Sequence, residues 1–195
     1  GTAQSGDETI AFTDSLGRTV QLPKELTRIA PSGAVATMIL ATIAPEYMVS
    51  VSSKPTEEQL SYLPQELVSL PETGQMYGSK STLNLETLLS CDAQVVIDLG
   101  DRKENMEDDL DALQKQIGIP VIFLEADVVH MEEMYRTLGS ILSDKEERGG
   151  ALADFAAETV AMAAENRERV TDAECVSVMY TSGVSGLDTN AEGST

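Results

Sequence analysis

The stretch "AQVVIDLGDRKENMEDDLDALQKQIGIPVIFLEA", residues 93–126, decides the fold. Its first eight residues form an apolar run, the pattern of a strand buried on both faces. Residues 106–118 switch to helical spacing, with Leu110, Leu113 and Ile117 on one face and Gly118 where the helix must stop. Residues 119–126 are a second apolar run. Strand, helix and strand joined by short loops predict a parallel pair with a crossover helix.

The same alternation extends both ways. Upstream, "TRIA" (27–30) reads as a short buried strand, Pro31-Ser32-Gly33 as a corner, and "AVATMILATIA" (34–44) as an apolar helix that ends before Pro45. "YMVSVS" (47–52) reads as another buried strand, and residues 56–74 as helical spacing broken by Pro64. Asn84 can cap a helix over "LETLLSC". Ahead of these, "TIAFTDSLGRTVQL" (9–22) predicts two short strands around a turn at Asp14, Ser15 and Gly17. Downstream, "VVHMEEMYRTLGSILS" (128–143) turns Met134, Leu138, Ile141 and Leu142 inward. The fold class is therefore α/β: a Rossmann-like lobe with a parallel sheet covered on both faces.

From Ser143 the pattern changes. Residues 144–170 predict one long helix, with Ser143 and Glu146 as a capping box and a narrow stripe of Leu152, Phe155, Ala156, Val160 and Ala163. Such a helix needs little burial and can cross from one lobe to another. "ECVSVMY" (174–180) then reads as a new strand that runs into a Gly/Ser-rich loop. The domain reading is a linker at 1–8, a lobe at 9–142, a long helix at 143–171, and a strand and loop at 172–195, which the resemblance given below makes an interlobe helix and the start of a truncated C-terminal α/β lobe.

Bulk properties narrow the function. The 195 residues carry 13 Lys+Arg against 33 Asp+Glu, a formal net charge of −20. That balance argues against nucleic acid or an anionic membrane as partner. Cys91 and Cys175 read as small buried hydrophobes rather than a disulfide. No apolar run is long enough to span a bilayer and no signal peptide is present. "GTAQSGDE" reads as the linker left after an export or anchoring segment.

Enzyme motifs are missing: Ser32-Gly33 is not a nucleophile elbow, and there is no glycine-rich phosphate loop. The single histidine, His130, sits at a helix start and reads as a surface or capping residue, so metal ligands are set at none. Catalytic residues are likewise set at none. Ligands of parallel sheets sit beyond the carboxyl ends of the strands. The candidate contacts there are Ser32, Gly33, Met76, Tyr77, Ser79, Lys80, Asp101, Arg102, Glu125 and Asp127. Met76 and Tyr77 offer apolar faces, Lys80 and Arg102 offer charge to an anionic rim, and Ser32-Gly33 can present helix N–H groups.

Two motifs carry a resemblance. "D-S-x-G-R-T-V-x-L-P" and "L-N-L-E-x-L-L-x-x-x-A-Q-V-V-I" resemble the substrate-binding proteins of ABC importers for iron complexes (siderophore or haem) and cobalamin, the class whose two lobes are joined by a single rigid helix. The match covers about residues 9 to 190, and "YTSGVSGLDTNAEGST" is similar to the first loop of the second lobe. The resemblance implies a monomer that clamps a ferric chelate, haem or corrinoid between lobes, with no intrinsic cofactor. It implies an extracytoplasmic place, periplasmic or lipid-anchored, and a membrane permease as partner. It puts Tyr180 and Ser182 on the facing wall and permease-docking acids near Glu104, Glu107 and Asp108. A second lobe of that class needs roughly a hundred further residues, of which this chain has the beginning. The competing expectation is a flavodoxin-like interaction or small-ligand-binding domain unrelated to transport.

Overall fold

The computed structural model describes residues 8–77, 82–179 and 181. Strands β1 (Thr9–Thr13) and β2 (Thr19–Pro23) form an antiparallel hairpin, with Phe12 opposite Val20. Strands β3 (Ile29–Pro31), β4 (Val95–Gly100) and β5 (Val121–Glu125) form a parallel sheet in that spatial order. Helices α1 (Ala34–Ile43), α2 (Leu85–Ser90), α3 (Met106–Ile117), α4 (Met131–Ile141) and α5 (Glu146–Glu168) complete the regular structure.

Strand alternation explains the two-sided core. Ile29, Ile97, Ile122 and Leu124 point to one face, where Leu40, Ile43, Met134 and Leu138 of α1 and α4 cover them. Ala30, Val96, Val121 and Phe123 point to the other, beneath Leu88, Met106, Leu110 and Ile117 of α2 and α3. Each fully buried Leu, Ile or Phe contributes about 1.5–3 kcal/mol. Gly118 ends α3 with φ 68°, a left-handed turn that suits glycine.

The hairpin is locked to the sheet by its turn. Asp14 accepts N–H bonds from Leu16 and Arg18 through Oδ1, both at 3.0 Å. Ser15 N donates to the Phe123 carbonyl and Glu125 N donates to Ser15 Oγ, so the turn runs alongside β5. Buried Arg18 donates from Nη2 to the Val121 carbonyl at 2.8 Å and pairs with Asp14 and Asp111. The signature "DSLGR" is thus a structural clasp.

Several expectations need correction. The strand read over 47–52 is reduced to isolated parallel bridges, Ile29 to Met48 and Val51 to Glu72, because the segment changes partner midway. Residues 56–70 hold only short 3-10 turns, Gln59–Ser61 and Gln65–Val68, on either side of Pro64. The Ser143–Glu146 capping box does not form: the N-cap of α5 is Lys145, and Ser143 N donates to the Leu26 carbonyl. Phe155, placed in the buried stripe, is exposed, while Gly149 and Ala153 are the buried positions of α5. Residues 175–179 take no regular structure and Cys175 is exposed, since a strand there has no neighbour among the described residues. Cys91 is buried, and both thiols are free.

The long helix leaves the lobe through a close crossing with α4. A Cβ on Gly149 would stand 2.6 Å from the Gly139 Cα and 2.7 Å from the Tyr135 carbonyl oxygen. Only a pair of glycines lets the two backbones approach so far. The 23 residues of α5 extend about 35 Å at 1.5 Å per residue.

Candidate functional site

The carboxyl ends of β3 and β4 open into a cleft of about 260 Å³ lined by Ser32, Gly33, Gln75, Tyr77, Asp98 and Lys103, among others. Ser32 lies where β3 ends, with its N–H on the Ile97 carbonyl and its own carbonyl accepting from Met76 N at 2.8 Å. That second bond brings residues 75–77 over the cleft. Gly33 is the N-cap of α1 and has no side chain to satisfy the first-turn N–H groups, which therefore border the cleft.

At the floor is Asp98, 4% exposed. Strand alternation puts it on the face of Val96, beneath α3. Its Oδ1 accepts the Ser32 hydroxyl, while its Oδ2 is buried without a hydrogen-bond partner among the described residues. Burial pushes the Asp98 carboxyl above the ordinary carboxylate range, against the lowering effects of the Ser32 bond and the Lys103 charge. Tyr77 is half-buried, and its hydroxyl also has no partner among the described residues. Burial, then the neighbouring Asp98 charge, holds its phenol well above the ordinary range. Lys103 Nζ stands 4.6 Å from the Tyr77 ring centroid, a cation–π contact at the rim.

The sequence candidates thus sort by place. Ser32, Gly33 and Tyr77 line this cleft, and Met76 packs into the core beside it. Arg102 is spent elsewhere: it donates to the Ser15 carbonyl and pairs with Glu125 at 3.6 Å. Asp101 is exposed beside it and receives Lys103 Nζ on its carbonyl at 3.2 Å. Glu104, Glu107 and Asp108 stand exposed at and just before the first turn of α3. Ser79, Lys80, Tyr180 and Ser182 lie outside the described residues.

Sequence reasoning missed Asp98, Lys103 and Gln75. For Asp98 the signal was present: a carboxylate inside the apolar run "VVIDLG" must be buried, and a buried carboxylate calls for a partner.

Glu125 and Asp127 are held at the end of β5, together with His130. Ligand atoms of these three lie within 4.8 Å of one another, the group among the described residues that could hold a metal ion. His130 Nδ1 lies 2.7 Å from Asp127 Oδ1, which also accepts N–H bonds from Val129 and His130. The group is therefore also the lock that starts α4. The Asp127 bond raises the imidazole above its ordinary pKa, and the His130 contacts lower the Asp127 carboxyl.

No protein-family model matches the chain, and no curated protein sequence matches it. Solved structures do. An ABC transporter solute-binding protein from Sulfurospirillum deleyianum DSM 6946 superposes with TM-score 0.80 and 26% identity, over 94% of this chain and 57% of its own. A periplasmic solute-binding protein from Veillonella parvula DSM 2008 gives 0.62 and 21%, over 80% and 47%. The periplasmic haem-binding protein RhuT from Roseiflexus sp. RS-1 gives 0.51 and 23%, over 74% and 51%. The chain spans about half the length of the proteins it matches. Its fold is that of ABC transporter solute-binding proteins, the fold that the sequence motifs implied.

Proposed function

We propose that the chain is the first lobe and connecting helix of an extracytoplasmic solute-binding protein that captures a metal chelate, a ferric siderophore, haem or a corrinoid, and delivers it to an ABC permease. The observation that carries this reading is the cleft at the carboxyl ends of β3 and β4, in a chain with the fold of ABC transporter solute-binding proteins. A parallel sheet offers its ligand site there. In this reading residues 172–195 begin that second lobe and α5 is the spacer. The same reading takes Ser79, Lys80, Tyr180 and Ser182 as further ligand contacts. The protein acts as a monomer and carries no resident cofactor.

A chelate brings its own metal ligands, so the protein needs apolar contact and a few polar groups. Tyr77, the α1 amides and Lys103 supply these. Haem-binding proteins among the structures of this fold support the chelate class. Calorimetric titration of the full-length protein with ferrichrome, haemin and cyanocobalamin tests the reading. Binding of one of them at micromolar or lower Kd is expected, and no heat from any of the three refutes it.

A further inference from the structure

The turn from β5 into α4 carries a group of side chains that the cleft does not use. Glu125 ends the strand, Asp127 follows two residues later, and His130 is the N-cap of α4. One ligand atom from each lies within 4.8 Å of the other two. Zinc–ligand bonds of about 2.0–2.2 Å let two ligands of one ion stand up to about 4.4 Å apart, so small side-chain rotations close the group around an ion. The side chains of Glu125, Asp127 and His130 keep 24%, 22% and 41% of their surface exposed, so an ion in solution reaches all three. Glu125 and His130 also border a second cavity, of about 250 Å³, lined by Thr13, Ser15 and Glu133 among others. No residue lines both this cavity and the cleft between β3 and β4.

We propose that Glu125, Asp127 and His130 bind one divalent transition-metal ion, with one imidazole nitrogen and one oxygen from each carboxylate as its protein ligands. The turn is set before the ion arrives: Asp127 Oδ1 accepts the backbone N–H groups of Val129 and His130 and holds the ring at Nδ1, 2.7 Å away. Helix capping accounts for Asp127, but not for a second carboxylate and an imidazole beside it. The Arg102 guanidinium pairs with Glu125 at a long 3.6 Å and is the cation that an incoming ion displaces. Two carboxylates match a double positive charge. The imidazole favours zinc and its first-row neighbours over magnesium and calcium, and the absence of a thiolate from the group disfavours copper(I). Three protein ligands leave the remaining positions to water on the cavity side, where Glu133 adds a further negative charge. A site this open exchanges its ion with solution, so the ion is a bound ligand rather than a resident cofactor. When bound, it ties the end of β5 to the start of α4.

The test is calorimetric titration of the chelator-stripped full-length protein with zinc chloride, and separately with magnesium chloride, in wild type and in the Glu125→Gln and His130→Gln variants. Wild type is expected to bind zinc with a Kd of roughly 1–50 μM and magnesium at least about 50-fold more weakly, because only zinc gains from the imidazole. Each variant is expected to lose about fivefold or more in zinc affinity, as removal of one ligand of three requires. The ring resonances of His130, assigned by sequential connectivity, are expected to shift as zinc is added. No zinc binding below 1 mM in wild type overturns the proposal. So does a loss smaller than fivefold in either variant, which places the ion elsewhere, and so does magnesium binding as tightly as zinc, which reports the acidic surface alone. If a variant does not fold, the wild-type ring resonances decide, and resonances unmoved at saturating zinc overturn the site. None of these outcomes depends on whether the cleft takes a chelate.

Discussion

At Asp98, burial sets a stability cost that depends on pH. Burial raises its pKa, so folding disfavours its charged form. Its contribution is most favourable below the ordinary value of 3.8 and is lost as pH rises through the raised one. Asp98→Asn removes that cost. The variant is expected to melt about 2–5 °C above wild type at pH 7, the shift that ~1 kcal/mol makes in a domain of this size. The gain should vanish below pH 3.8. Thermal unfolding at both pH values measures it, and an equal gain at both would show that the charge is not responsible. The sequence displayed this residue but not its setting. A charge in an apolar strand marks burial, yet the Ser32 bond joins positions 66 apart in the chain. Cys175 shows the reverse: its apolar neighbours suggested burial, and it is exposed.

At the scale of elements, legibility followed periodicity. β4, α3 and β5 were readable because each has a core face that repeats, and Asn84 accepts the Thr87 N–H as its position implied. Residues 47–52 were misread because an apolar run records burial, not pairing. Ser50 and Ser52 turn inward to Thr73 and Thr37, while the ladder fails around them. The crossing of α4 and α5 was hidden in two glycines ten residues apart, which the eye reads as weak helix. Gly149→Ala is expected to cost about 1–3 kcal/mol, because the added methyl meets backbone that cannot step aside. Denaturant unfolding checks this. Gly150→Ala, whose Cβ meets nothing within 4 Å, is the control and should be neutral or stabilising.

For the whole molecule, the informative property is where charge and apolar surface lie. The net charge of −20 is largely a surface property, and the acids Glu104, Glu107 and Asp108 are exposed at and just before the first turn of α3. In the importer reading these acids meet basic residues of the permease. Reversing Glu107 and Asp108 to Lys should reduce ligand uptake by cells at least 5-fold and leave ligand affinity within twofold, because rim charges govern encounter more than grip. Uptake at wild-type level would assign docking to other acids. Exposed apolar surface is found on and beyond the long helix, where Phe155, Met162, Val176, Val178 and Met179 are all more than half exposed, as well as at Met38, Tyr62, Val128 and Val129. A second lobe accounts for the part on and beyond the helix in the same reading. That expectation came from the family motifs alone, because no periodicity of residues 9–142 records a second lobe.

The glycine crossing has a mechanical consequence. Two backbones in contact make a fixed pivot with little room to roll, and α5 beyond it is a lever. From Gly149 to Glu168 the arm is about 28 Å, so a tilt of roughly 5° at the pivot moves its tip about 2.5 Å. Whatever the far end of α5 carries is thus aimed by two hydrogen atoms, those that Gly139 and Gly149 hold in place of side chains.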